Sequence, residues 1–596
     1  MRPSQSHKLA ALLLLIALTV WIGHPFLTAA QIGGHSSFVD LTRAVAYHDQ
    51  AQQGQWLPRW MPSFYMGHGS PIFLYYAPAS YLFTEFVHQF INDTDTALKA
   101  AYLLLIILSL AGMFALGNRL AGIFGGMAAA TMYGLAPYFL VDLFVRNGIA
   151  EFACFAILPW LFLALIDASD HGDGLHWIAM SVLLALLVCT HNITAMVTAP
   201  IVLAFVILLA KGRNRLIGLA HYGLGIGLSA WFWLPALGEK NLVQSTESLT
   251  GGFFHYSRHF VRPIQLLQTS WGYGASGSDA PDRMSHQIGL ALLAVVVATT
   301  VMLIRQRKQI DKRMKWIAIG FLGSFVVCVL FTTAATKVFW DHLPLLPFVQ
   351  FPWRFLLPVS FCGAACAAIL TAMIANGDGG FFSRNRKPIV AAAMIVAAVV
   401  TTAPYVDGRY VLLDVRDMKM VFFNSPDEAV AAAQRFKELA QPGDIFNMTS
   451  LRNMGTTTTA QDDYLPMTVS RKPGKYYGYI AEPAESNMTI VEKKLVGADY
   501  IFRYKAEQDS VVRVEPFFFP GWKATMNGKA LPIFPETETG LLMVRVPSGE
   551  GQVLVRLGDT NIRTAGKWIS GISLLILPVS VLLLHKRKRG DGSKRA

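Results

Sequence analysis

The chain is poor in charge and in cysteine. Only 15% of its 596 residues are charged, against about 25% in an ordinary soluble domain. A soluble protein this poor in charge could not cover its surface, and the 53% of hydrophobic residues excludes a disordered chain. Five cysteines are too few for a small disulfide-bonded scaffold. The composition therefore indicates a membrane protein.

Several common motifs are also missing. The sequence has no P-loop, no G-x-G-x-x-G dinucleotide fingerprint and no H-E-x-x-H zinc site. Each of these motifs places a nucleotide or a metal by a known geometry. Their absence removes the simplest ways in which the chain could bring its own nucleotide or zinc chemistry.

Long apolar runs are present instead. A run of about 20 residues crosses a bilayer, and we count twelve such runs. They cover approximately residues 9–27, 97–116, 120–141, 151–168, 175–190, 193–210, 216–237, 287–304, 316–334, 353–375, 389–405 and 567–585. The first run could be a cleaved signal peptide, because Lys8 precedes it and small residues follow it. A retained signal anchor is favoured, since the rest of the chain is itself polytopic.

Basic residues cluster in the short loops at 211–215, 305–315, 384–387 and 586–589. Twelve spans place all four clusters on one face together with both termini. The positive-inside rule makes that face cytoplasmic, and the cytoplasmic segments then hold about 21 Lys+Arg and about 6 Asp+Glu. The net charge of +13 is therefore a topology signal and does not indicate nucleic-acid binding.

Three regions are predicted from this topology. Residues 1–405 form a transmembrane module with a long first outer loop at 28–96, residues 406–566 form an extracytoplasmic domain, and residues 567–596 hold the last span and a basic tail. We expect a polytopic α-helical protein of the cytoplasmic membrane, with the large domain outside.

The insertion at 406–566 is the only stretch with the composition of a soluble domain. Ser425, followed by a proline, two acids and an alanine-rich run, predicts a capped helix. Asn527-Gly528 is typical of a tight hairpin turn. Runs that resemble strands lie at 500–504, 511–519, 541–546 and 552–557. The pattern predicts a β-rich domain tethered by spans on both sides.

A candidate acid lies near the start of the first outer loop. Asp40 is the only carboxylate between the first predicted span and Arg43. Ser36 or Ser37 is placed to cap a helix that runs to Gly54, which puts Asp40 in the first turn and Arg43 on the same face. A helix N-terminus favours the ionised form of such an acid. Asp40 could therefore serve catalysis, or could simply stabilise this helix.

Further candidates lie at the predicted outer ends of later spans, where a charge is costly and so indicates function. They are Arg146, Glu151, His191, Glu239, Trp353 and Arg354. The arginine of the Trp353-Arg354 pair suits a phosphate group, because a guanidinium binds phosphate through paired hydrogen bonds. Simpler roles stay open: an ion pair between Arg146 and Glu151, a hydrogen-bonded cap at His191, and snorkelling of Arg354.

These candidates share one predicted level, at which the phosphate of an isoprenoid lipid would lie. The predicted cytoplasmic loops are too short for a nucleotide-binding domain. The energy for any chemistry must therefore arrive with the substrate, and a sugar linked to a lipid phosphate meets that requirement. No motif demands a cofactor, although a divalent metal is compatible with the outer acids.

Several short motifs carry a family resemblance over most of the chain. They are Gly54-x-Trp-Leu-Pro-Arg-Trp, Gly67-x-Gly-x-Pro, Arg146-x-Gly-x-x-Glu151, Phe351-Pro-Trp-Arg354, Gly455-Thr-Thr, Asp463-Tyr464-Leu-Pro466 and Pro520-Gly-Trp522-Lys. In this order they resemble the bacterial membrane proteins labelled "6-pyruvoyl-tetrahydropterin synthase-related". The sequence has no zinc-binding set of histidines that would support the synthase activity named in this label.

The resemblance implies a GT-C-like glycosyltransferase: a polytopic enzyme with an acid in its first outer loop and a polyprenyl-phosphate sugar donor. Asp40 would then be the catalytic base, with Arg43 and the outer candidates binding substrate. Asp463 and Tyr464 would bind a glycan or protein acceptor. Relatives often show an Asp and, four residues later, a His, where this chain has Ser36 and Asp40. Either Asp40 takes over the acidic role or this member lacks catalysis.

Two other functions fit the same pattern less well. A transporter or flippase for a lipid-linked sugar would place its site near the midplane between repeats, and we find no repeat. A non-catalytic scaffold for envelope assembly would use the β-rich domain to bind a partner. The expected partners under the leading hypothesis are a polyprenyl-phosphate-linked sugar, an acceptor glycan or protein, and membrane lipid.

Overall fold

The computed structural model describes residues 4–172, 174–244, 250–277, 282–374, 385–414, 419–423, 425–439, 464–471 and 480–592. Within these ranges the chain forms a helical part followed by a β-rich part, and a final helix returns from the β-rich part. This arrangement, with its apolar helices, confirms the predicted fold class of a polytopic helical protein with a β-rich domain.

Nineteen helices are described. They are α1 Gln5–Gly23, α2 Ser37–Gln52, α3 Ile72–Tyr75, α4 Ala79–His88, α5 Thr94–Ala121, α6 Ile123–Gly134, α7 Pro137–Leu140, α8 Ile149–His171, α9 Gly174–Thr190, α10 Asn192–Leu209, α11 Gly212–Leu228, α12 Ala230–Gly238, α13 Leu290–Arg305, α14 Lys312–Thr332, α15 Lys337–His342, α16 Leu356–Met373, α17 Arg386–Thr402, α18 Pro426–Leu439 and α19 Asn561–Gly592. A π-helix, Val141–Arg146, follows α7, and a 3₁₀ turn, Pro352–Phe355, precedes α16.

Each of the twelve predicted spans falls on one of these helices. Seven described helices are long and apolar enough to cross a membrane, or nine when each of two bent pairs counts as one span. The pairs are α6 with α7 and its π-helix, bent by 50°, and α11 with α12, bent by 67°. The first bend lies at Pro137, whose nitrogen cannot donate to a preceding carbonyl. The shorter helices α9 and α13, with α19, correspond to the remaining three spans.

Three antiparallel sheets form the β-rich part and its junction with the first loop. Their strands are β1 Gln31–Ile32, β2 Tyr410–Asp414, β3 Lys419–Phe423, β4 Ala481–Pro483, β5 Met488–Val496, β6 Asp499–Ala506, β7 Ser510–Phe517, β8 Trp522–Met526, β9 Lys529–Leu531, β10 Ile533–Pro535, β11 Leu541–Val546 and β12 Gly549–Leu557. The strand orders are β1-β2-β3, β10-β11-β7-β4 and β5-β6-β12-β8-β9.

The strands that the sequence revealed contain buried side chains. Tyr500, Phe502 and Tyr504 of β6 are buried, whereas most of β5 is exposed. The predicted strands correspond to β6, β7, β11 and β12, and the predicted helix corresponds to α18. The turn at Asn527-Gly528 joins β8 to β9 with both residues at positive φ, as a type I′ hairpin requires. The edge strand β5 has no clear period-two pattern, so the sequence did not indicate it.

The first outer loop packs against the β-rich part. The backbone nitrogen of Phe517 donates to the carbonyl of His68 at 2.9 Å. Trp60 packs edge-to-face on Trp522, with their ring centroids 5.2 Å apart. Gly69 has φ +80°, and a Cβ there would lie 2.1 Å from Trp60 Nε1, so only glycine fits beside that ring. The loop thus joins the helical part to the β-rich part.

Two enclosed helices lie at the centre of the helical part. The apolar windows of α8 and of the Pro352–Met373 segment are 89% and 94% buried, whereas those of α14 and α17 are only 28% buried. A helix buried on all sides contacts protein rather than lipid. The starts of the two enclosed segments carry Glu151 and Arg354, which brings these two side chains to the protein interior.

Candidate active site

Asp40 caps a helix other than its own. Its Oδ2 accepts a hydrogen bond at 3.0 Å from the backbone nitrogen of Ile149, the first residue of α8. Its Oδ1 accepts from the Tyr81 hydroxyl at 2.5 Å. Ser36 is the N-cap of α2, but its side chain makes no capping bond. The carboxylate of Asp40 therefore satisfies the start of α8, where the helix dipole favours a negative charge.

Arg43 lies beside Asp40 in the same buried region. Its guanidinium sits 4.3 Å from the ring centroid of Tyr76 and donates to the Tyr81 hydroxyl at 3.5 Å. Burial raises the pKa of Asp40, although Arg43 and the bonds from Tyr81 and Ile149 act in the opposite direction. The carboxyl group is therefore a stronger base than a solvent-exposed aspartate.

The π-helix presents a second acid and an arginine. Arg146 Nε lies 3.1 Å from Asp142 Oδ1, an i,i+4 pair in which Asp142 is completely buried. Asn147 then adopts a left-handed conformation, φ 49° and ψ 49°, which turns the chain into α8. Single π-turns are frequent at functional sites. This one places both charged side chains on the side of the chain that faces α8.

The first outer loop is fastened to the end of this π-helix. The backbone nitrogens of His35 and Ser36 donate to the carbonyls of Val145 and Arg146, at 2.9 and 2.8 Å. The Ser37 hydroxyl donates to Asn147 Oδ1 at 2.9 Å. These bonds set the start of α2, and hence Asp40, against the chain that carries Arg146.

Glu151 joins two arginines and a tyrosine. Its Oε1 accepts from the Tyr138 hydroxyl at 2.7 Å, and its Oε2 accepts from Arg146 Nη2 at 3.1 Å. Arg354 Nε lies 3.3 Å from the same Oε2. The guanidinium of Arg146 also lies 4.5 Å from the ring centroid of Trp353. The structure thus brings together the two motifs that end at Glu151 and Arg354.

The cluster contains three guanidinium groups and three carboxyl groups. We name it the arginine–carboxylate cluster: Asp40, Arg43, Asp142, Arg146, Glu151 and Arg354. Asp142 Oδ2, Arg354 Nε and Trp353 Nε1 are buried without a hydrogen-bond partner among the described residues. Buried polar atoms are usually satisfied, so such a group of unsatisfied atoms points to a ligand or to ordered water. The arrangement could hold an anion with several oxygen atoms.

His191 lies at the border of the cluster. Its Nδ1 accepts from the backbone nitrogen of Thr194 at 3.4 Å and lies 2.7 Å from the Thr194 hydroxyl, so it caps α10. Burial lowers the pKa of His191 to about 3, an effect that Arg354 and Arg146 reinforce and Glu151 opposes. The imidazole is therefore neutral at physiological pH. It cannot act there as a cation for a phosphate.

Glu239 belongs to a second group of contacts. Its Oε2 accepts from Arg563 Nε at 2.9 Å, and its Oε1 accepts from the Thr560 hydroxyl. Its backbone carbonyl accepts from the Tyr75 hydroxyl at 2.9 Å. Tyr464 stacks on Tyr75 with centroids 5.7 Å apart, and Asp463 lies outside the described residues. This group adjoins the cluster through Tyr76, the neighbour of Tyr75 that contacts Arg43, and through Asn192, the neighbour of His191, which donates to the Tyr75 carbonyl at 3.3 Å.

Sequence reasoning missed three side chains that complete the cluster. Tyr81 and Tyr138 give no signal, because a tyrosine in an apolar run resembles an ordinary core residue. Asp142 did carry a signal, since it precedes Arg146 by four residues, the spacing of an ion pair on a helix. Within the described ranges, no three His, Cys, Asp or Glu side chains form a group that could hold a metal ion.

A comparison with protein families gives one match. The model described as "6-pyruvoyl-tetrahydropterin synthase related domain; membrane protein" covers residues 73–407, more than half of the chain. The match includes the segments that carry Arg146, Glu151 and Arg354, but not Asp40. No curated protein matches the chain at a significant level.

Similar solved structures include three membrane proteins. The arabinofuranosyltransferase AftD from Mycobacteria is 13% identical with a TM-score of 0.42, covering 77% of this chain and 31% of its own. The oligosaccharyltransferase AglB from Archaeoglobus fulgidus, in complex with an inhibitory peptide and a dolichol-phosphate, is 13% identical with a TM-score of 0.44, covering 74% and 60%. ArnT from Cupriavidus metallidurans, bound to undecaprenyl phosphate, is 12% identical with a TM-score of 0.28, covering 66% and 88%. The chain thus spans about a third of AftD and three fifths of AglB.

Proposed function

The chain belongs to the 6-pyruvoyl-tetrahydropterin synthase related family of membrane proteins, and from the chemistry of its buried cluster we propose that it is a GT-C-type glycosyltransferase. It transfers a sugar from a polyprenyl-phosphate donor to a glycan or protein acceptor. The reaction takes place on the outer face of the cytoplasmic membrane. Both termini are cytoplasmic, and the β-rich part is extracytoplasmic.

One observation carries the proposal: Arg146 and Arg354 converge on Glu151 in the protein interior, at the starts of two enclosed helical segments. Guanidinium groups held in place by a shared carboxylate are preorganised for an anion, and they act strongly where water is excluded. Arg354 Nε lies 3.3 Å from Glu151 Oε2 but makes no hydrogen bond among the described residues, so its N–H is available to an anion that displaces Glu151. A phosphate on a membrane lipid can reach these helix starts from the bilayer. A soluble nucleotide donor would need a nucleotide-binding motif, and the sequence has no P-loop or G-x-G-x-x-G fingerprint.

The reaction follows from these positions. An acceptor hydroxyl oxygen attacks the anomeric carbon of the sugar, and its proton passes to Asp40. The bond between that carbon and the phosphate oxygen breaks with its electron pair on the oxygen, so polyprenyl phosphate leaves and the anomeric configuration inverts. Each carboxylate oxygen of Asp40 accepts one protein hydrogen bond and keeps a second lone pair for the proton.

Other side chains support these two roles. Arg354 and Arg146 neutralise the charge that grows on the leaving phosphate. Glu151 holds both arginines in place until the phosphate competes for them. Arg43 and Tyr81 hold Asp40 in place. His191 acts on the acceptor side, together with Asp463 and Tyr464 of the β-rich part, whereas Glu239 is held by Arg563 and ties α12 to the chain that leads into α19.

The test is a transfer assay with purified full-length protein in nanodiscs, supplied with polyprenyl-phosphate sugars and acceptor glycans or peptides. One arm contains a divalent cation and a second contains a chelator. Asp40→Asn keeps an oxygen that can accept from Ile149 but removes the base, so we expect transfer to fall at least about 100-fold. Arg354→Ala should lower transfer by a similar factor, because it removes a donor to the leaving phosphate.

Matched controls separate this proposal from its rivals. Arg119 forms surface ion pairs with Asp167 and Asp170 at the other end of the helices, so Arg119→Ala should leave transfer unchanged. Transfer that survives both active-site changes would refute the mechanism. Binding of a lipid-linked sugar with no transfer would favour transport, and binding of neither donor nor acceptor would favour a scaffold.

A further inference from the structure

The ring of Trp353 is packed against its neighbours, but its N–H has no hydrogen-bond acceptor among the described residues. The ring stacks on Phe351 with centroids 4.8 Å apart and an interplanar angle of 18°. The guanidinium of Arg146 lies 4.5 Å from the same ring centroid. The side chain is 2% exposed, and Nε1 has no acceptor in the part of the chain that the structure describes. An indole N–H can only donate, so whatever completes this site must be an acceptor.

His286 lies beside Trp353. Its ring centroid is 6.3 Å from that of Trp353, with an interplanar angle of 50°. It is 4% exposed, and its Nε2 also lacks a hydrogen-bond partner among the described residues. Burial lowers the pKa of His286 to about 4, with Arg283 and His259 acting in the same direction. The imidazole is therefore neutral and keeps one N–H and one lone pair.

The segment that carries His286 is anchored at both ends. Before His286, the backbone nitrogen of Met284 donates to the carbonyl of Gly274 at 3.0 Å, and after it the backbone nitrogen of Ile288 donates to the carbonyl of Leu266 at 2.9 Å. Gly289 follows at φ +96°, and a Cβ there would lie 2.8 Å from Pro137 Cδ, at the start of α7. The residues that follow His286 are thus held close to the start of α7, and His286 itself is buried.

We propose that Trp353 Nε1 and His286 Nε2 bind the non-bridging phosphoryl oxygens of the lipid-linked donor. The inference rests on the proposed function and adds His286 as a substrate-binding residue, a role that no sequence motif indicated. Trp353 Nε1–H and Arg354 Nε–H come from adjacent residues, and both can only donate. The Arg354 N–H becomes available when the phosphate displaces Glu151 Oε2, which lies 3.3 Å away. His286, in the tautomer that carries hydrogen on Nε2, supplies a third donor, and a phosphoryl group has enough oxygen atoms to accept from all three.

A neutral histidine suits this position for a physical reason. The cluster already holds Arg146 and Arg354 against Glu151, so a further cation at His286 would bind the product phosphate too strongly for release. A neutral N–H orients the phosphoryl group without adding charge. The positioning of the phosphate then depends on hydrogen-bond geometry at His286 and Trp353, and its charge is balanced by the arginines.

The experiment measures equilibrium binding of radiolabelled undecaprenyl phosphate to the full-length protein in detergent, with undecaprenol as the probe that lacks phosphate. Trp353→Phe keeps the stacked ring and removes the N–H, and His286→Phe keeps a flat ring and removes both nitrogens. We expect each change to weaken binding of undecaprenyl phosphate by about 10- to 100-fold, as loss of a hydrogen bond to a charged group does. Binding of undecaprenol should stay unchanged.

Two controls make the result specific. Trp340 is also fully buried with an unsatisfied Nε1 among the described residues, but it packs on Tyr256 and Phe260, outside the charged cluster. Trp340→Phe should leave binding unchanged. His286→Gln can return an N–H to the same place and should restore binding to within a few-fold of the wild-type protein. Thermal unfolding of every variant checks that the fold is kept.

Three results would overturn the inference. Equal weakening by Trp340→Phe would show that buried indoles act only through packing. Unchanged binding in both active-site variants would remove Trp353 and His286 from the phosphate site. Loss of binding for undecaprenol as well as for its phosphate would assign them to the lipid chain. Failure of the wild-type protein to bind undecaprenyl phosphate would instead refute the proposed function, and this inference with it.

Discussion

The ion pair between Glu239 and Arg563 allows a sharp test of a structural role against a substrate-binding one. Arg563 is 1% exposed and Glu239 is 4% exposed. The guanidinium Nε and Nη2 both lie within 2.9 Å of Glu239 Oε2, and Nη1 donates to the carbonyl of Gly558 at 3.2 Å. The pair therefore ties the end of α12 to the chain that leaves β12 for α19.

The expected energies follow from this burial. Removing one member of a buried pair leaves an uncompensated charge and costs about 3–5 kcal/mol, whereas replacing both by apolar side chains of similar volume is often neutral or stabilising. Glu239→Met and Arg563→Met should each lower the free energy of unfolding by roughly that amount. The double variant should lose much less than the sum, because neither charge is then left alone.

The assay is a double-mutant cycle in which unfolding in mixed micelles is titrated with SDS and followed by tryptophan fluorescence. We expect a coupling free energy of at least about 4 kcal/mol between the two positions, because the two single losses sum to about 6–10 kcal/mol and the double variant should lose no more than about 2 kcal/mol. Transfer activity of the double variant, measured where it is fully folded, should remain within a few-fold of the wild-type value. A matched double-mutant cycle at the surface pair of Asp499 and Arg556 serves as the control. The guanidinium of Arg556 is largely exposed, so the coupling free energy should be less than about 1 kcal/mol.

Two outcomes would contradict this reasoning. Additive single changes would mean that the pair does not act as a buried unit. A double variant that folds stably but has lost transfer would instead support the substrate-binding role that the sequence suggested for Glu239.

Three further experiments address the base, the loop and the topology. Burial raises the pKa of Asp40, and the base must be ionised to accept a proton. The pH profile of kcat/KM should therefore fall on the acid side with an apparent pKa above about 3.9, the value of an ordinary aspartate. An apparent pKa at or below that value would exclude Asp40 as the base. Gly34→Ala would place a Cβ 2.5 Å from Asn147 Cβ, so transfer should fall at least about 10-fold with little loss of secondary structure, measured by circular dichroism. All five native cysteines are buried, so Val491→Cys on exposed β5 should react with an impermeant maleimide in intact cells and Lys308→Cys should not; the reverse pattern would invert the proposed topology.

The sequence predicted the helical architecture well, because spans depend on local composition. Every apolar run became a helix or a bent pair, and Pro137 marks one bend. The strands β6, β7, β11 and β12 were found as well, but the short strand β8 was missed although its burial alternates, and β5 was missed because its side chains are mostly exposed on an edge. Periodicity reports a buried face, and a strand without one leaves no pattern.

The site was predictable as a set of residues but not as a geometry. The spacing of Arg146 and Glu151 suggested an ion pair, and that pair is present. Nothing in the sequence placed Arg354 on the same carboxylate, because the two lie some 200 residues apart and meet only through helix packing. Glu239 seemed equivalent to Glu151 at the level of the predicted membrane surface. It instead meets Arg563, since α12 packs against the last helix.

The charge balance of the cluster has a consequence for the proposed reaction. A sugar phosphodiester carries one negative charge, whereas the phosphate monoester that leaves carries between one and two near neutral pH. Three arginines already balanced by Asp40, Asp142 and Glu151 attract the donor only moderately. As charge grows on the leaving oxygen, Arg146 and Arg354 can shift from Glu151 toward the phosphate, and the proton accepted by Asp40 removes one competing negative charge. The cluster is then most complementary to an anion at the point where the glycosidic bond breaks, which is where binding energy accelerates a reaction.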